Sequence, residues 1–172
     1  MARNRIRRLR SEDGQALVEL AFVIPIVLLF LFGIIDFGLA LNAQNSDTNV
    51  ANLAVRVASV IGTSASEPCN GTAETTLSAW VTCEAAATGA PAPTSICVAD
   101  TSGTTPTSTY TTGDPIEVEV QSNFSWLKLV TSKVAGLSST IGASATMRLE
   151  QGPATSGSTI PFFTGTTTCT SA

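Results

Sequence analysis

The sequence predicts an α+β protein in which one long N-terminal helix, transmembrane and then amphipathic, packs on a small antiparallel sheet of about three strands. Three observations carry that expectation. An apolar run of membrane-crossing length stands near the N-terminus, a stripe of apolar residues at spacings of three and four follows it, and three segments of period-two alternation come later. The 172 residues are 44% hydrophobic and only 13% charged. That balance argues against a solvated disordered chain and against a long coiled coil, both of which need many charges.

The leader comes first. Arg3, Arg5, Arg7, Arg8 and Arg10 face two acids within residues 1–14, a net charge of +3, whereas residues 15–172 carry four bases against eleven acids, a net charge of −7. A body that acidic will not hold a phosphate backbone, so nucleic acid is not an expected partner. From Leu20 to Leu41 the only charge is Asp36. As a helix that stretch is ~33 Å long at about 1.5 Å per residue, against a hydrocarbon core of roughly 30 Å. Arginines precede it and no base occurs between Asn42 and Val55. The positive-inside rule therefore predicts a single-pass protein of the inner (cytoplasmic) membrane, with the N-terminus in the cytoplasm and the rest outside.

Within the span, Pro25 removes an amide donor and clashes with the carbonyl four residues back, which predicts a bend; that bend either serves helix packing or is an ordinary tolerated membrane proline. Asp36, near the outer end, pairs with another subunit, caps a helix end or reaches headgroup water, the last being the expected role. Helical periodicity persists through Val50, Leu53, Ala54, Val57, Val60 and Ile61, and Gly62 is a natural residue to follow the helix end. One helix from about Gln15 to Ile61 is expected, the alternative being two helices joined near Asn42–Asp47.

Residues 62–73 read as loop. A short amphipathic helix is expected from Glu74 to about Ala87, with Leu77, Trp80, Val81 and Glu84 one turn apart and Thr72 or Ala73 near its start. The TGAPAPT stretch is a break. Strand signals follow at Ile96 and Val98, at Ile116, Val118 and Val120, and at Ile141, Ala143, Ala145, Met147 and Leu149. Alternation with polar residues predicts a sheet covered on one face only, the amphipathic half of the first helix being the cover. Phe124, Trp126, Leu127, Leu129, Val130, Val134 and Leu137 are expected to form a helical or irregular connection over the sheet edge. Residues 151–172 read as flexible apart from Ile160 to Phe163 and a tethered Cys169. Cys69, Cys83, Cys97 and Cys169 contain no CxxC pair, so two disulfides in an oxidising compartment are expected rather than zinc. Four cysteines allow three pairings and the sequence does not choose among them; Cys69–Cys83 with Cys97–Cys169 serves as the working assignment.

Chemistry is sparse. The chain has no histidine, which removes the commonest general base and transition-metal ligand. Ser125 and Lys128 have the Ser-x-x-Lys spacing, but its companion motifs are missing. There is no P-loop, dinucleotide turn or EF-hand loop. Asn70-Gly-Thr72 and Asn123-Phe-Ser125 are formal glycosylation sequons, in a Ser/Thr-rich context where such matches arise by chance. The expectation is a protein that is not an enzyme, with no cofactor and no metal.

One pattern is more specific. A basic leader ends at Gly14, Glu19 stands at the fifth position after it, and the apolar run follows, which resembles the processing site of type IV prepilins. The longer string GQALVELAFVIPIVLLFLFGIIDFGLALNAQ resembles the TadE-like family of tight-adherence (Tad) pilus proteins through Gly14, Val18-Glu19, Ala21, Pro25 and Asp36-Phe37-Gly38. The resemblance covers about residues 14–60; Leu20 stands where an aromatic often follows the glutamate, and the cysteines and Ser/Thr-rich tail lie outside the pattern. It implies a type IV pilin-like fold and cleavage between Gly14 and Gln15. It divides the chain into a leader (1–14), a transmembrane and stalk helix (15–61) and an extracytoplasmic head (62–172). It also implies a minor pilin or pseudopilin acting in pilus assembly, adhesion or secretion, with an extracellular pilus as a further location. The implied partners are a prepilin peptidase, the Tad inner-membrane platform and assembly ATPase, a major Flp-type pilin and other minor pilins. Glu19, Pro25 and Asp36 are the candidate assembly residues, with Glu19 meeting the N-terminal amine of a neighbouring subunit. The alternative is a membrane-anchored or secreted disulfide-containing binding domain unrelated to pili, its export signal cut after Ala43.

Overall fold

The computed structural model describes residues 3–62, 66–103, 107–126 and 137–169, with side chains from Gly14 onward. The chain divides into two compact units, residues 1–39 and 40–172. Helix α1 is one continuous element, Arg3–Val60, that runs through Pro25. It starts a dozen residues earlier than the periodicity indicates. Arginine, leucine and glutamate in the leader are good helix formers, and Gly14 inside a helix costs only about 1 kcal/mol. The polar stretch from Asn42 onward does not break the helix either. Ser46 and Thr48 donate to the carbonyls of Asn42 and Gln44 at 3.0 and 2.9 Å, so their hydroxyls bond within the helix instead of competing with it.

The second unit holds a three-stranded antiparallel sheet of order β3-β4-β5, with β3 at Pro93–Asp100, β4 at Pro115–Ser125 and β5 at Ser138–Arg148. Strand β4 is central and shows the expected alternation, with Ile116, Val118, Val120 and Ser122 buried. Its register sets Val118 between Val98 and Ala145, and Val120 between Ile96 and Ala143. That inner face meets the outer part of α1, whose Val50, Ala51, Ala54, Val55, Ala58 and Ile61 join the same core. Alanines at 51, 54 and 58 are fully buried. The end of α1 is tied to the chain leaving β5, because the Ser59 carbonyl accepts from the amides of Glu150 and Gln151 at 2.8 and 3.1 Å.

The segment read as loop contains a small hairpin, β1 at Glu67–Cys69 and β2 at Thr72–Glu74. Asn70 and Gly71 both have positive φ at its tip, the pairing that a two-residue hairpin turn requires. Helix α2 is Leu77–Thr88, starting three residues later than expected because Glu74 belongs to β2 and Thr76 caps the helix, its hydroxyl accepting from the Ala79 amide at 3.2 Å. Gly89 in the left-handed region ends it. Leu77, Trp80, Val81 and Ala85 are the buried face; Ala85, rather than Glu84, completes it.

Two further expectations change. Phe124 and Trp126 do not start a helix: Phe124 lies in β4, the two rings meet edge-on at 5.1 Å, and Trp126 donates through its indole N–H to Ser139 Oγ at 2.8 Å. The stretch with Leu127, Leu129, Val130 and Val134 lies outside the described residues. The outer face of β3 is covered as well. Cys97, Ala99 and Cys169 form a second buried cluster, and the amide of Val98 donates to the Thr167 carbonyl at 2.9 Å, so the C-terminal segment closes the free edge of β3. That segment also supplies core. A 3-10 turn, Pro161–Phe163, buries Phe162 completely, and Ile160 with it. Full burial of a side chain of this size contributes about 1.5–3 kcal/mol, enough to anchor a segment that composition alone reads as flexible.

Candidate functional site

The candidate site in the first unit is a helix surface. Large apolar side chains from Leu17 to Leu39 are exposed around the whole helix, Phe22 at 74%, Leu29 at 70% and Ile34 at 71%. The run is long and apolar enough to cross a membrane, with a mean hydropathy of 2.8 in its most apolar window, and none of the described residues covers that window. Water-exposed patches of such extent are rare on soluble monomers, so lipid or other apolar helices are the natural surroundings.

Gly14, Gln15 and Glu19 sit at the head of this surface. Beyond its chain neighbours and the helix's own backbone, no described heavy atom lies within 4 Å of where a Gly14 Cβ would stand. Gln15 and Glu19 are one turn apart on the helix, and the Gln15 amide lies 3.4 Å from Glu19 Oε1. The carboxylate is exposed and directed toward residue 15. Pro25 lies within the apolar run. Asp36 differs from its neighbours: Ile35 and Phe37 are 43% and 58% exposed, Asp36 only 9%.

In the second unit the structure brings together two polar residues that sequence reasoning missed. Asp47 is 1% exposed on the inner face of α1, and Ser122, fully buried on β4, donates to its Oδ2 at 2.6 Å. Burial raises the Asp47 carboxyl above its ordinary 3.8, and the Ser122 bond partly offsets that rise. A signal was present: Asp47 falls in step with Val50, Ala51 and Ala54, and Ser122 with Ile116, Val118 and Val120. Each is polar on an otherwise apolar stripe. Tyr110 is the other missed residue. Its ring packs edge-on against Phe163 at 5.0 Å and its hydroxyl donates to the Val98 carbonyl at 3.4 Å. Burial, with the Asp100 charge adding to it, pushes its pKa up to about 12.

The cysteines join Cys69 to Cys83, fastening β1 to α2, and Cys97 to Cys169, fastening β3 to the C-terminal segment. Cys97, Glu119 and Cys169 offer ligand atoms within 4.8 Å of one another, but both sulfurs are used in the disulfide and supply no thiolate for a metal. Among the described residues no buried side-chain nitrogen or oxygen lacks a hydrogen-bond partner, so the head is a satisfied, covalently braced body rather than a strained one.

A long N-terminal helix, apolar enough to cross a membrane in its first part and packed on a small antiparallel sheet in its last, is an α+β arrangement consistent with a pilin-like fold. Residues 14–56 match the family model of the TadE-like proteins. Over that segment, a quarter of the chain, the sequence is similar to the TadE-like proteins, and the matched residues include the part of α1 that is long and apolar enough to cross a membrane. No curated protein and no solved structure matches the chain.

Proposed function

We propose that this protein is a minor pilin, or pseudopilin, of a Tad pilus, made as a prepilin, cut between Gly14 and Gln15 and taken into the pilus through its apolar helix. The observation that carries the reading is the start of the family match at Gly14, the last residue of an arginine-rich leader and the one before the exposed apolar stretch of α1. In this reading residues 1–14 are a cytoplasmic leader, 15–61 the membrane and stalk helix, and 62–172 an extracytoplasmic head. A prepilin peptidase removes the leader. The inner-membrane platform and its ATPase then extract the helix, and a major Flp-type pilin and other minor pilins receive it.

Physical chemistry supports the roles of the first turn. A carboxylate at the head of an apolar helix is expensive in lipid unless a cation meets it. Cleavage before Gln15 creates an α-amino group one turn from Glu19, and the same amine on a neighbouring subunit reaches Glu19 when two helices pack side by side. Apolar association then supplies contact area, and the charge pair sets the register. The test is Glu19→Ala in the native host. The variant is expected to reach the membrane and lose its leader while failing to support piliation. Normal piliation in that variant would refute the pairing.

A further inference from the structure

The head carries a cavity that the assembly role does not use. It has a volume of about 250 Å³ and lies between the C-terminal segment and the strand edge of β3. Its floor is apolar and buried, formed by Val98, Tyr110, Ile160 and Phe163. Its rim is made of hydroxyls: Ser108, Thr159 and Thr168 are exposed there and carry no hydrogen bond among the described residues. Thr164 and Thr166, also on the lining, donate to the carbonyls of Pro161 and Phe163 at 2.6 and 2.7 Å, which leaves their oxygen lone pairs free to accept. Among the described residues no charged side chain lines the cavity.

We propose that this cavity binds one uncharged pyranose ring, with the apolar C–H face of the sugar on the floor and its hydroxyls on the threonine rim. Three features select that ligand class. The volume is below the range of drug-sized pockets, which begin at about 300 Å³, and suits a single ring. The absence of charge disfavours phosphates, carboxylates and ammonium groups, each of which costs much to desolvate without a partner. A rim of hydroxyls that both donate and accept, set around an apolar floor, matches a molecule whose edge is hydroxyl and whose face is not. The walls are held in place from two sides. Cys97–Cys169 pins the segment that carries Thr167 and Thr168, and the Tyr110–Ser158 backbone bridge pins the segment that carries Ser108. A braced site spends little of its binding energy on ordering itself. The inference goes beyond the pilus reading, and binding is measured on the purified protein, so the two stand or fall separately.

The test is ligand-observed saturation-transfer NMR on the full chain in detergent micelles. The probes are the methyl glycosides of glucose, galactose and mannose, with glucuronic acid as the charged control and a co-sedimentation arm on insoluble neutral polysaccharide. At least one neutral glycoside is expected to receive saturation, strongest on its ring C–H protons, and glucuronic acid is not. Ser108→Trp, which fills the mouth, should abolish the signal. Thr168→Val, which removes one hydroxyl from the rim and leaves the fold untouched, should weaken binding about threefold to tenfold. No transfer to any neutral glycoside, an unchanged signal in both variants, equal transfer to glucuronic acid, or binding to the polymer without binding of any free glycoside would each overturn the proposal.

Discussion

The Asp47–Ser122 contact gives the sharpest prediction about how the helix is held on the head. Ser122→Ala removes a 2.6 Å bond to a carboxylate that water does not reach. A hydrogen bond to a charged group contributes about 1.5–3 kcal/mol, a neutral one about 0.5–1.5 kcal/mol. The cost should therefore depend on whether Asp47 is ionised. Its folded pKa lies above 3.8 because burial disfavours the charged form. In the window between 3.8 and that raised value the folded state keeps a proton that the unfolded state has lost, so this group's contribution to stability falls as pH rises through the window and is level above it. Loss of Ser122 removes the one influence that lowers the value, so the window widens and the penalty at neutral pH grows. Urea unfolding of the full chain in micelles, followed through Trp80 and Trp126, should give a loss of about 1.5–3 kcal/mol for Ser122→Ala at pH 7. The loss should be about 1 kcal/mol smaller at the lowest pH where the chain stays folded. A cost below about 0.5 kcal/mol at pH 7, or one that does not change with pH, would refute the reasoning.

Other predictions follow from the same contacts. Paired Cys→Ser replacement of Cys97 and Cys169, which close a 72-residue separation, should cost more than replacement of Cys69 and Cys83 at 14; chain entropy gives about 4.4 against about 3 kcal/mol, and chemical denaturation ranks them. The reverse order would place the stabilisation in native contacts instead. Tyr110, the single tyrosine, should titrate near pH 12 by ultraviolet absorbance, and because the unfolded value is about 10, stability should fall as pH rises from 10 towards 12. Tyr110→Phe should flatten that part of the curve, and an ordinary midpoint near 10 would contradict the buried ring. Gly62 has φ +54, and a Cβ there would stand 2.9 Å from atoms of the Gln151 side chain. Gly62→Ala should lose about 1–2 kcal/mol in thermal or urea unfolding, and a neutral result would show that the helix end relaxes without cost.

Much of the fold was legible because long-range order here follows local pattern. The apolar run and the stripe from Val50 to Ile61 mark α1, and the alternation at Ile116, Val118 and Val120 marks the central strand. What escaped rests on pairing that no local pattern encodes. The Asn70-Gly71 hairpin is a short-range signal hidden in a stretch too polar to suggest strands. In the C-terminal segment the sequence marks Ile160 to Phe163 and a tethered Cys169 as exceptions to a Ser/Thr-rich background, and Phe162 is indeed among the most deeply buried side chains; the pairing of Thr167 with β3 is what no local pattern shows. Asp47 and Ser122 lie 75 residues apart, and each by itself reads as a polar intruder on an apolar face. The Gly14 to Glu19 pattern is of another kind. In the proposed reading its meaning depends on a protease and a neighbouring subunit, and a single chain displays only the geometry that such partners would use.

The most direct test of the pilin account is intact-mass and N-terminal peptide analysis of the protein taken from native membranes. The account predicts a chain that begins at Gln15, cyclised or methylated at its new amine, with no peptide from residues 1–14. A chain that begins at Met1, or one cut near Ala43, would contradict it.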